Sequence, residues 1–205
     1  MRGVWVLGGG GHAKVAIATL QSDGKAVAGV YDDDASKQGA VLLSARIDGV
    51  TPDLSWWQAE PRSALIAIGN NATRQRVAEL PADWVTATHE TAHVHDTVRV
   101  GSGSLICAGV VIQPDANIGR HVIANTACSI DHDCTVGDFC HIAPGVTLAG
   151  EVTVGARAFV GAAATIIQGV HIGTDAIIGA GAVVTKDVPS GDKVAGVPAR
   201  KISNG

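Results

Sequence analysis

A histidine followed by an aspartate, His132 and Asp133, stands in the segment SIDHDCTVG at residues 129–137. An imidazole has an ordinary pKa of about 6.5 and can accept a proton at neutral pH. A carboxylate bonded to its far nitrogen would fix the tautomer and stabilise the cation. The pair can therefore form a general base, or it can be an ordinary polar pair on a protein surface.

Four glycines follow a hydrophobic run in VWVLGGGGHAKV, residues 4–15. The spacing Gly8-x-Gly10-x-x-Ala13, with Asp32 about 20 residues later, matches a dinucleotide-binding fingerprint. The same loop can cradle the pyrophosphate of a nucleotide sugar on backbone N–H groups, or it can simply let a strand turn into a helix. We favour the nucleotide-sugar cradle, because a first domain of about 88 residues is too short for both halves of an NAD-binding fold.

Residues 1–88 alternate short apolar runs with amphipathic stretches. The pattern predicts strands at 4–7, 26–31, 64–68 and 85–88, and helices at 12–21 and 71–80, the second capped by Asn70 or Asn71. This order favours a small parallel α/β sheet with right-handed crossovers.

From Val94 to Val184 an aliphatic residue recurs at every sixth position, sixteen times without an insertion. A second column, from Val98 to Val188, holds only small or β-branched residues and includes Cys128, Cys134 and Cys140. Such hexads are typical of a parallel β-helix. Three hexads make one coil of 18 residues, so residues 89–205 should form a triangular prism roughly 25 Å tall, with the aliphatic column inside and the cysteines as small buried thiols.

Composition excludes several classes of function. The net charge is −4, so no broad basic surface for nucleic acid is expected. No apolar run is long enough to span a bilayer and no leader is evident, so we expect a cytoplasmic protein. The four cysteines form no CxxC pair, which argues against structural zinc. The three histidines His89, His93 and His95 could suggest a metal, but we expect them to cap the first coil, and we predict no metal site.

Several motifs together resemble one family. They are LGGGGHAKV, VYDDD (30–34), IAIGNN (66–71), SIDHDCTVGDFCHIAPGVTLAGEVTVG (129–155) and GVPAR (196–200). The chain resembles the hexapeptide-repeat acyltransferases, and within them the bacterial sugar acetyltransferases that act on nucleotide-linked amino sugars and their sialic acid O-acetyltransferase relatives. The resemblance implies that the β-helix is left-handed.

The resemblance also implies roles for individual residues. His132 would be the catalytic base and Asp133 its partner. Gly150 lies 18 residues after His132, so it should occupy the same column one coil on, where its N–H could stabilise an oxyanion. The residues expected to bind the nucleotide sugar are Gly10, Gly11, His12, Asp32, Asp33, Gly69 and Asn70.

The same resemblance implies acetyl-CoA as acyl donor, bound in a groove between the prisms of a homotrimer. The residues expected to contact the donor are His141, Gly150, Gly161, Ala162, Lys186 and Arg200. The function expected is acetyl transfer to the amino group of a nucleotide-linked deoxy-amino sugar by direct attack, with no covalent enzyme adduct. O-acetylation of a sugar, a non-catalytic nucleotide-sugar scaffold and an NAD-binding protein are the alternatives.

Overall fold

Residues 3–84 form a parallel α/β domain in the structure, a computed structural model that describes residues 3–202. Its strands are β1 (Val4–Leu7), β2 (Val27–Tyr31), β3 (Val41–Leu42), β4 (Ala45–Gly49), β5 (Ser63–Ile66) and β6 (Asp83–Trp84). Its helices are α1 (Gly11–Ser22), α2 (Leu54–Ala59) and α3 (Asn71–Val77), with a 3₁₀ turn at Ala35–Lys37. The sheet order is β3-β4-β2-β1-β5-β6, and only the pair β3 and β4 is antiparallel.

Helical spacing and caps explain the two longer helices. Helix α1 buries Ala13, Ile17 and Leu20, which recur three or four residues apart and cover the core side of the helix. Helix α3 starts where the Asn70 side-chain oxygen accepts a hydrogen bond from the amide of Thr73 at 2.9 Å. The predicted helices and the parallel strands predicted at 4–7, 26–31 and 64–68 are confirmed, whereas in the predicted segment 85–88 only Ala87–Thr88 is a strand, and it pairs within the β-helix. The β3–β4 hairpin and α2 were not predicted, because each is too short to show a clear hydrophobic period.

Residues 87–202 form a three-faced parallel β-helix. The strands of the first face are Ala87–Thr88, Leu105–Ile106, Ile123–Ala124, His141–Ile142, Phe159–Val160, Ile177–Ile178 and Lys193–Ala195, closed by the antiparallel Arg200–Lys201. The strands of the second face are His93–Val94, Val111–Ile112, Ser129–Ile130, Thr147–Leu148, Thr165–Ile166 and Val183–Val184. The strands of the third face are Arg99–Val100, Asn117–Ile118, Thr135–Val136, Thr153–Val154 and His171–Ile172.

The 18-residue coil predicted from the hexads is confirmed by the pairing of the strands. Ile112 pairs with Ile130, and Ile130 pairs with Leu148, with the same offset on every face up to Val184. From Ile106 to Val184 every member of the aliphatic column is at most 1% exposed. The column therefore forms the inner core of the prism, as the sequence pattern indicates.

A tight turn at each corner lets the chain pass from one face to the next. Every sixth residue from Gly103 to Gly181 has a φ between 53° and 75°, and nine of these residues are not glycine. Asp133 is one of them, with φ 59°. The glycines that follow the aliphatic column serve a different purpose, since a Cβ on Gly119 would lie 2.6 Å from the backbone nitrogen of Asp138 in the next coil. These glycines allow the coils to stack closely.

The two domains share one core. Helix α1 packs on the strands Ala87–Thr88 and Leu105–Ile106 of the first face, and its buried residues belong to the same apolar cluster as the prism interior. Ala87–Thr88 is already a β-helix strand because it pairs with Leu105–Ile106, so the predicted boundary after residue 88 lies a few residues too late. Within residues 3–202, no helix combines the length and apolarity that crossing a membrane requires.

Candidate active site

His132 lies at the vertex between the second and third faces, just after the strand Ser129–Ile130. The left-handed backbone of Asp133 turns its carboxylate towards the ring, and its Oδ2 accepts a hydrogen bond from His132 Nδ1 at 2.8 Å. The backbone N–H of His132 donates to Asp131 Oδ1 at 2.8 Å. With its proton on Nδ1, the imidazole presents an unprotonated Nε2, which is the state that a general base requires.

The charges around His132 stabilise its protonated form. The hydrogen bond to Asp133 raises the pKa of His132 above its ordinary value and outweighs desolvation, which lowers it, and the negative charges of Asp131, Asp133 and Glu151 also raise it. The imidazole is about half exposed. A base with a raised pKa is stronger, but it is in its neutral form only at higher pH.

Gly150 faces the other side of the imidazole, one coil further along the same vertex. A Cβ on Gly150 would lie 2.5 Å from both Nε2 and Cε1 of His132. The backbone holds the two levels together, because Glu151 N–H donates to the His132 carbonyl at 2.9 Å. Within residues 3–202 the N–H of Gly150 has no hydrogen-bond partner. The predicted proximity of Gly150 to His132 is therefore confirmed.

The glycine loop joins β1 to α1. Gly8 has φ 106° and its N–H donates to the Tyr31 carbonyl, while Gly9 donates to Asp32 Oδ2 at 2.5 Å. A Cβ on Gly10 or on Gly11 would meet no atom within 4 Å. The first two glycines are therefore required by packing, whereas the last two present open backbone at the start of a helix, where anions bind favourably.

A cavity of about 260 Å³ lies at the carboxyl ends of β1 and β2, and Asp32 and Asp33 both line it. Asp32 accepts hydrogen bonds from the amides of Gly9 and Asp34 and from Lys37 Nζ. Burial alone would raise the pKa of Asp32, but these three donors lower it below its ordinary value. Asp33 Oδ1 accepts from the amide of Thr51 at 3.2 Å. Lys37 is a cation beside the loop that the sequence analysis did not identify.

Gly69 and Asn70 line a second cleft, of about 380 Å³, rather than the cavity of Asp32. It lies between the start of α3 and the outer side of the first face, where Phe159 and Ile177 form its floor. Asn70 contributes its side chain to the cap of α3. The two cavities are neighbours, because Ile68 lines the first and Gly69 the second.

His141 lies beside this second cleft and not beside Gly150. Its Nε2 accepts from Asn125 Nδ2 at 3.1 Å and its Nδ1 donates to the Gly69 carbonyl at 3.3 Å. Its ring contacts those of Phe159 and His12, with centroids 5.3 and 6.0 Å away. Burial lowers the pKa of His141 to about 4, with a further contribution from the Arg74 charge. His141 is outward-facing on the prism, and the N-terminal domain covers it.

Within one chain the predicted residues therefore form two groups. His132, Asp133 and Gly150 lie at the vertex between the second and third faces, which is opposite the first face. His12, Gly69 and His141 meet on the first face. The donor-binding prediction that grouped His141 with Gly150 is not met inside a single chain.

The remaining donor-binding candidates have different surroundings. Gly161 is buried, its N–H donates to the Ile178 carbonyl, and a Cβ there would lie 2.6 Å from Ala180 N, so packing of the coils accounts for it. Ala162 beside it is exposed. Lys186 and Arg200 are exposed and line one groove of about 280 Å³ at the C-terminal end of the prism. Lys186 also lies on the vertex of His132, three coils further on.

Cysteines and the other histidines do not add to either group. Cys128 and Cys140 are fully buried, and burial raises the pKa of each thiol to about 12, so neither forms a nucleophilic thiolate at neutral pH. His89 and His95 bond to the threonines of their own turns, Thr91 and Thr97. No cluster of three metal-ligand side chains occurs in the described part of the chain.

A small parallel α/β domain on a left-handed hexapeptide β-helix, with a vertex histidine facing a glycine of the next coil, defines a protein of the hexapeptide-repeat acyltransferase class. Comparison with known families agrees with this class. Residues 3–80 match the PglD N-terminal domain, and residues 151–186 match the hexapeptide repeat of succinyl-transferase.

Individual relatives narrow the class to a family. The perosamine N-acetyltransferase of Caulobacter crescentus, a histidine-to-asparagine variant in complex with CoA and GDP-perosamine, is 39% identical over 98% of this chain and 97% of its own, with a TM-score of 0.92. The acetyltransferase domain of PglB from Neisseria gonorrhoeae FA1090 is 31% identical over 98% of this chain and 100% of its own, with a TM-score of 0.87. The chain belongs to the family of hexapeptide-repeat sugar N-acetyltransferases with a PglD-type N-terminal domain.

A curated relative gives a shorter match. The GDP-perosamine N-acetyltransferase of Escherichia coli O157:H7 is 41% identical over 89 residues, which are 42% of this chain and 40% of that protein.

Proposed function

We propose that the protein transfers an acetyl group from acetyl-CoA to the amino group of a nucleotide-linked deoxy-amino sugar. The observation that carries this proposal is the arrangement of His132 between the Asp133 carboxylate and the Gly150 backbone. It offers an unprotonated nitrogen and a free backbone N–H within one small space. Acyl transfer to an amine needs both of these groups.

The chemistry follows from these two groups. The sugar nitrogen attacks the thioester carbonyl carbon, and His132 Nε2 accepts the proton that the nitrogen loses. The carbonyl oxygen becomes an oxyanion that the Gly150 N–H can stabilise. The C–S bond then breaks, the imidazolium returns its proton to the departing thiolate, and the products are the amide and CoA. Asp133 keeps the ring in the required tautomer and stabilises its positive charge.

The N-terminal domain would hold the nucleotide. Gly10 and Gly11 offer open backbone at the start of α1 for the pyrophosphate, and Asp32 and Asp33 line the adjacent cavity for the base or ribose. GDP-perosamine is the first substrate to test, because two relatives at about 40% identity are named for it or hold it. The exposed Lys186 and Arg200 would contact the donor's phosphates.

Assembly into a homotrimer would bring the two groups of residues together. His132 and His141 lie on opposite sides of the prism, so a donor groove between two prisms would place the vertex of one subunit against the first face of its neighbour. We expect sedimentation at micromolar concentration to show a trimer. A monomer with full activity would contradict both the assembly and the shared site.

A substrate screen tests the proposal directly. The protein is incubated with acetyl-CoA and either GDP-perosamine or a UDP- or dTDP-linked amino sugar, and CoA release and product mass are followed. We expect acetylation of one of these amines, strong loss in His132→Asn, and native rates in Gln168→Ala, which changes the same vertex two coils beyond His132. Acetylation of a sialic acid hydroxyl in place of every amine would replace the proposal with O-acetyl transfer, and nucleotide-sugar binding without turnover would indicate a scaffold.

A further inference from the structure

Arg74, on helix α3, is 1% exposed and joins the two domains through its guanidinium. Its six acceptors are His121 O (2.9 Å), Ile68 O (2.9 Å), Gly69 O (3.2 Å), Asn71 Oδ1 (2.8 Å), Phe139 O (2.7 Å) and Cys140 O (3.1 Å). Three of the five carbonyls belong to the prism and two to the loop after β5. All three nitrogens of the side chain therefore have partners, and these lie on both sides of the domain junction.

None of these acceptors is a carboxylate, and within residues 3–202 Arg74 forms no ion pair. A buried cation without a counter-ion is costly, because it loses its hydration and gains no ion pair in exchange. Burial lowers the pKa of Arg74 to about 10, so it stays protonated at neutral pH. Stability alone is a weak reason for a buried arginine at this position, whereas its planar fork is well suited to fixing several carbonyls at once.

Two of these carbonyls place Arg74 directly at the second cleft. The Gly69 carbonyl accepts from Arg74 Nη1 and also from His141 Nδ1. The Cys140 carbonyl, which accepts from Arg74 Nη2, belongs to the residue before His141. One guanidinium therefore holds the loop that lines the cleft and the strand that carries its imidazole.

We infer that Arg74 is a positioning residue, which sets the Gly69 loop against His141 and so shapes the second cleft, which is lined by Gly69 and Asn70, two of the residues expected to bind the nucleotide sugar. The inference deepens the function proposed above and rests on it for its kinetic consequence. Its structural content, the fixed relation of Gly69 to His141, does not depend on the identity of the substrate.

The charge of Arg74 has a second effect on the same cleft. Besides burial, it lowers the pKa of His141 and of His12, whose rings face each other across the junction. The only other charge effect on His141 is that of His12, which acts in the same direction, while the hydrogen bond to Gly69 opposes them. His141 is thus kept neutral, with its proton on Nδ1, and it is oriented by Gly69 and Asn125.

Two variants of Arg74 test the inference, with Arg76→Met as the control. Arg74→Lys keeps the charge but offers donors from a single nitrogen, which cannot reach Gly69 and Cys140 together. Arg74→Met removes the charge as well. Arg76 is on the same helix and is exposed, and among the described residues its side chain bonds only to Thr73, so its loss should change nothing at the cleft. If Arg74→Met does not fold, the measurements on Arg74→Lys alone still test the inference.

The first measurement is nitrogen NMR of the histidine side chains in the protein without substrate, in whichever assembly state it adopts. In the native protein and in Arg76→Met, we expect His141 to remain neutral with its proton on Nδ1 down to a pH of about 4. In Arg74→Lys we expect its tautomer signals to change and its pKa not to rise, because the Gly69 hydrogen bond that raises this pKa is weakened while the positive charge is kept. Native His141 signals in a folded Arg74→Lys would overturn the inference.

The second measurement is steady-state kinetics with GDP-perosamine or whichever amino sugar the screen identifies. In Arg74→Lys we expect KM for the nucleotide sugar to rise about tenfold and Arg76→Met to match the native enzyme. A lower Tm with native KM in Arg74→Lys would show a purely structural role and would overturn the inference. If no amino sugar is acetylated by the native protein, the proposed function fails, and the NMR measurement alone decides whether Arg74 positions the cleft.

Discussion

Replacing Gly150 with alanine adds one methyl group at the point where the structure leaves no room for it. The new Cβ would lie 2.5 Å from Nε2 and Cε1 of His132 and 3.2 Å from its Cδ2. Gly150 does not have a left-handed backbone, so alanine can adopt its conformation without strain. The imidazole is about half exposed and can swing into solvent, so we expect the fold to be retained.

The size of the effect follows from these distances. Carbon atoms in ordinary contact are about 3.5–4.0 Å apart, so the imidazole must move by roughly 1 Å or more. Such a movement disturbs the 2.8 Å bond to Asp133 and takes Nε2 away from the attacking amine. A misplacement of about 1 Å can cost about a hundredfold in rate. We therefore expect kcat/KM of Gly150→Ala to fall about a hundredfold, with a native Tm.

The assay is CoA release followed with a thiol reagent, at saturating and limiting concentrations of each substrate. Gln168→Ala is the control, because it leaves an alanine on the same vertex one coil beyond Gly150, out of contact with His132, and it should show native kinetics. Native kcat/KM in Gly150→Ala would refute the reasoning, since it would mean that neither the position of His132 nor the free space beside it matters for the reaction.

Three further substitutions test the remaining steps. His132→Asn should lower kcat about 10²–10⁴-fold with both KM values near native, and the rise of activity with pH should disappear. Near-native turnover with an unchanged pH profile would assign the proton to another group, with His141 as the first candidate. Asp133→Asn removes the interaction that raises the pKa of His132, so the pH at which activity rises should move from above the ordinary imidazole value to a lower pH, with a smaller loss of kcat. A midpoint that stays in place would show that Asp133 does not interact with the base. Gly10→Val should fold, because its Cβ meets nothing within 4 Å, but it should raise KM for the nucleotide sugar about tenfold or more by blocking the phosphate. Parallel rises in both KM values would show that the loop is structural.

The β-helix could be predicted from the sequence because its core requires an aliphatic side chain at every sixth position. A polar residue in the aliphatic column would be buried in every coil, so the pattern had to be unbroken, and Ile130, Ile142 and Leu148 are all fully buried. The contact between His132 and Gly150 follows from the same regularity, since residues 18 positions apart stack directly.

The corners were less predictable. Their left-handed residues include Asp133 and Phe139 as well as glycines, because a single outward-facing position tolerates many side chains once the coils on either side fix the backbone. Gly119 and Gly137, which the sequence pattern does show, follow the aliphatic column. They are required for close stacking of the coils and not for the left-handed turns. Composition at the corners therefore gives no reliable signal of their conformation.

The domain junction could not be predicted from periodicity. The packing of one domain on another depends on the shape complementarity of two folded surfaces. The hexad pattern therefore does not show that the N-terminal domain covers His141. Arg74 gave no signal either, since a single arginine in a short helix usually faces solvent. The hydrogen bonds of the Asp32 carboxylate with the Gly9 amide and Lys37 could not be predicted either, because they depend on how the loop folds.

The unbroken 18-residue coil also fixes the distances between residues along the prism. His132, Gly150, Gln168 and Lys186 occupy successive levels of one vertex, so the distance from His132 to Lys186 is fixed at a whole number of coils, each about 4.8 Å high. A one-residue insertion between 132 and 150 would turn the aliphatic column outward and place a side chain against His132. Only whole coils can be added without this damage, and one inserted after residue 168 would leave His132 and Gly150 in contact while lengthening the span to Lys186 by a single step. Under the function proposed above, the length of donor that the protein can hold should therefore change in discrete increments.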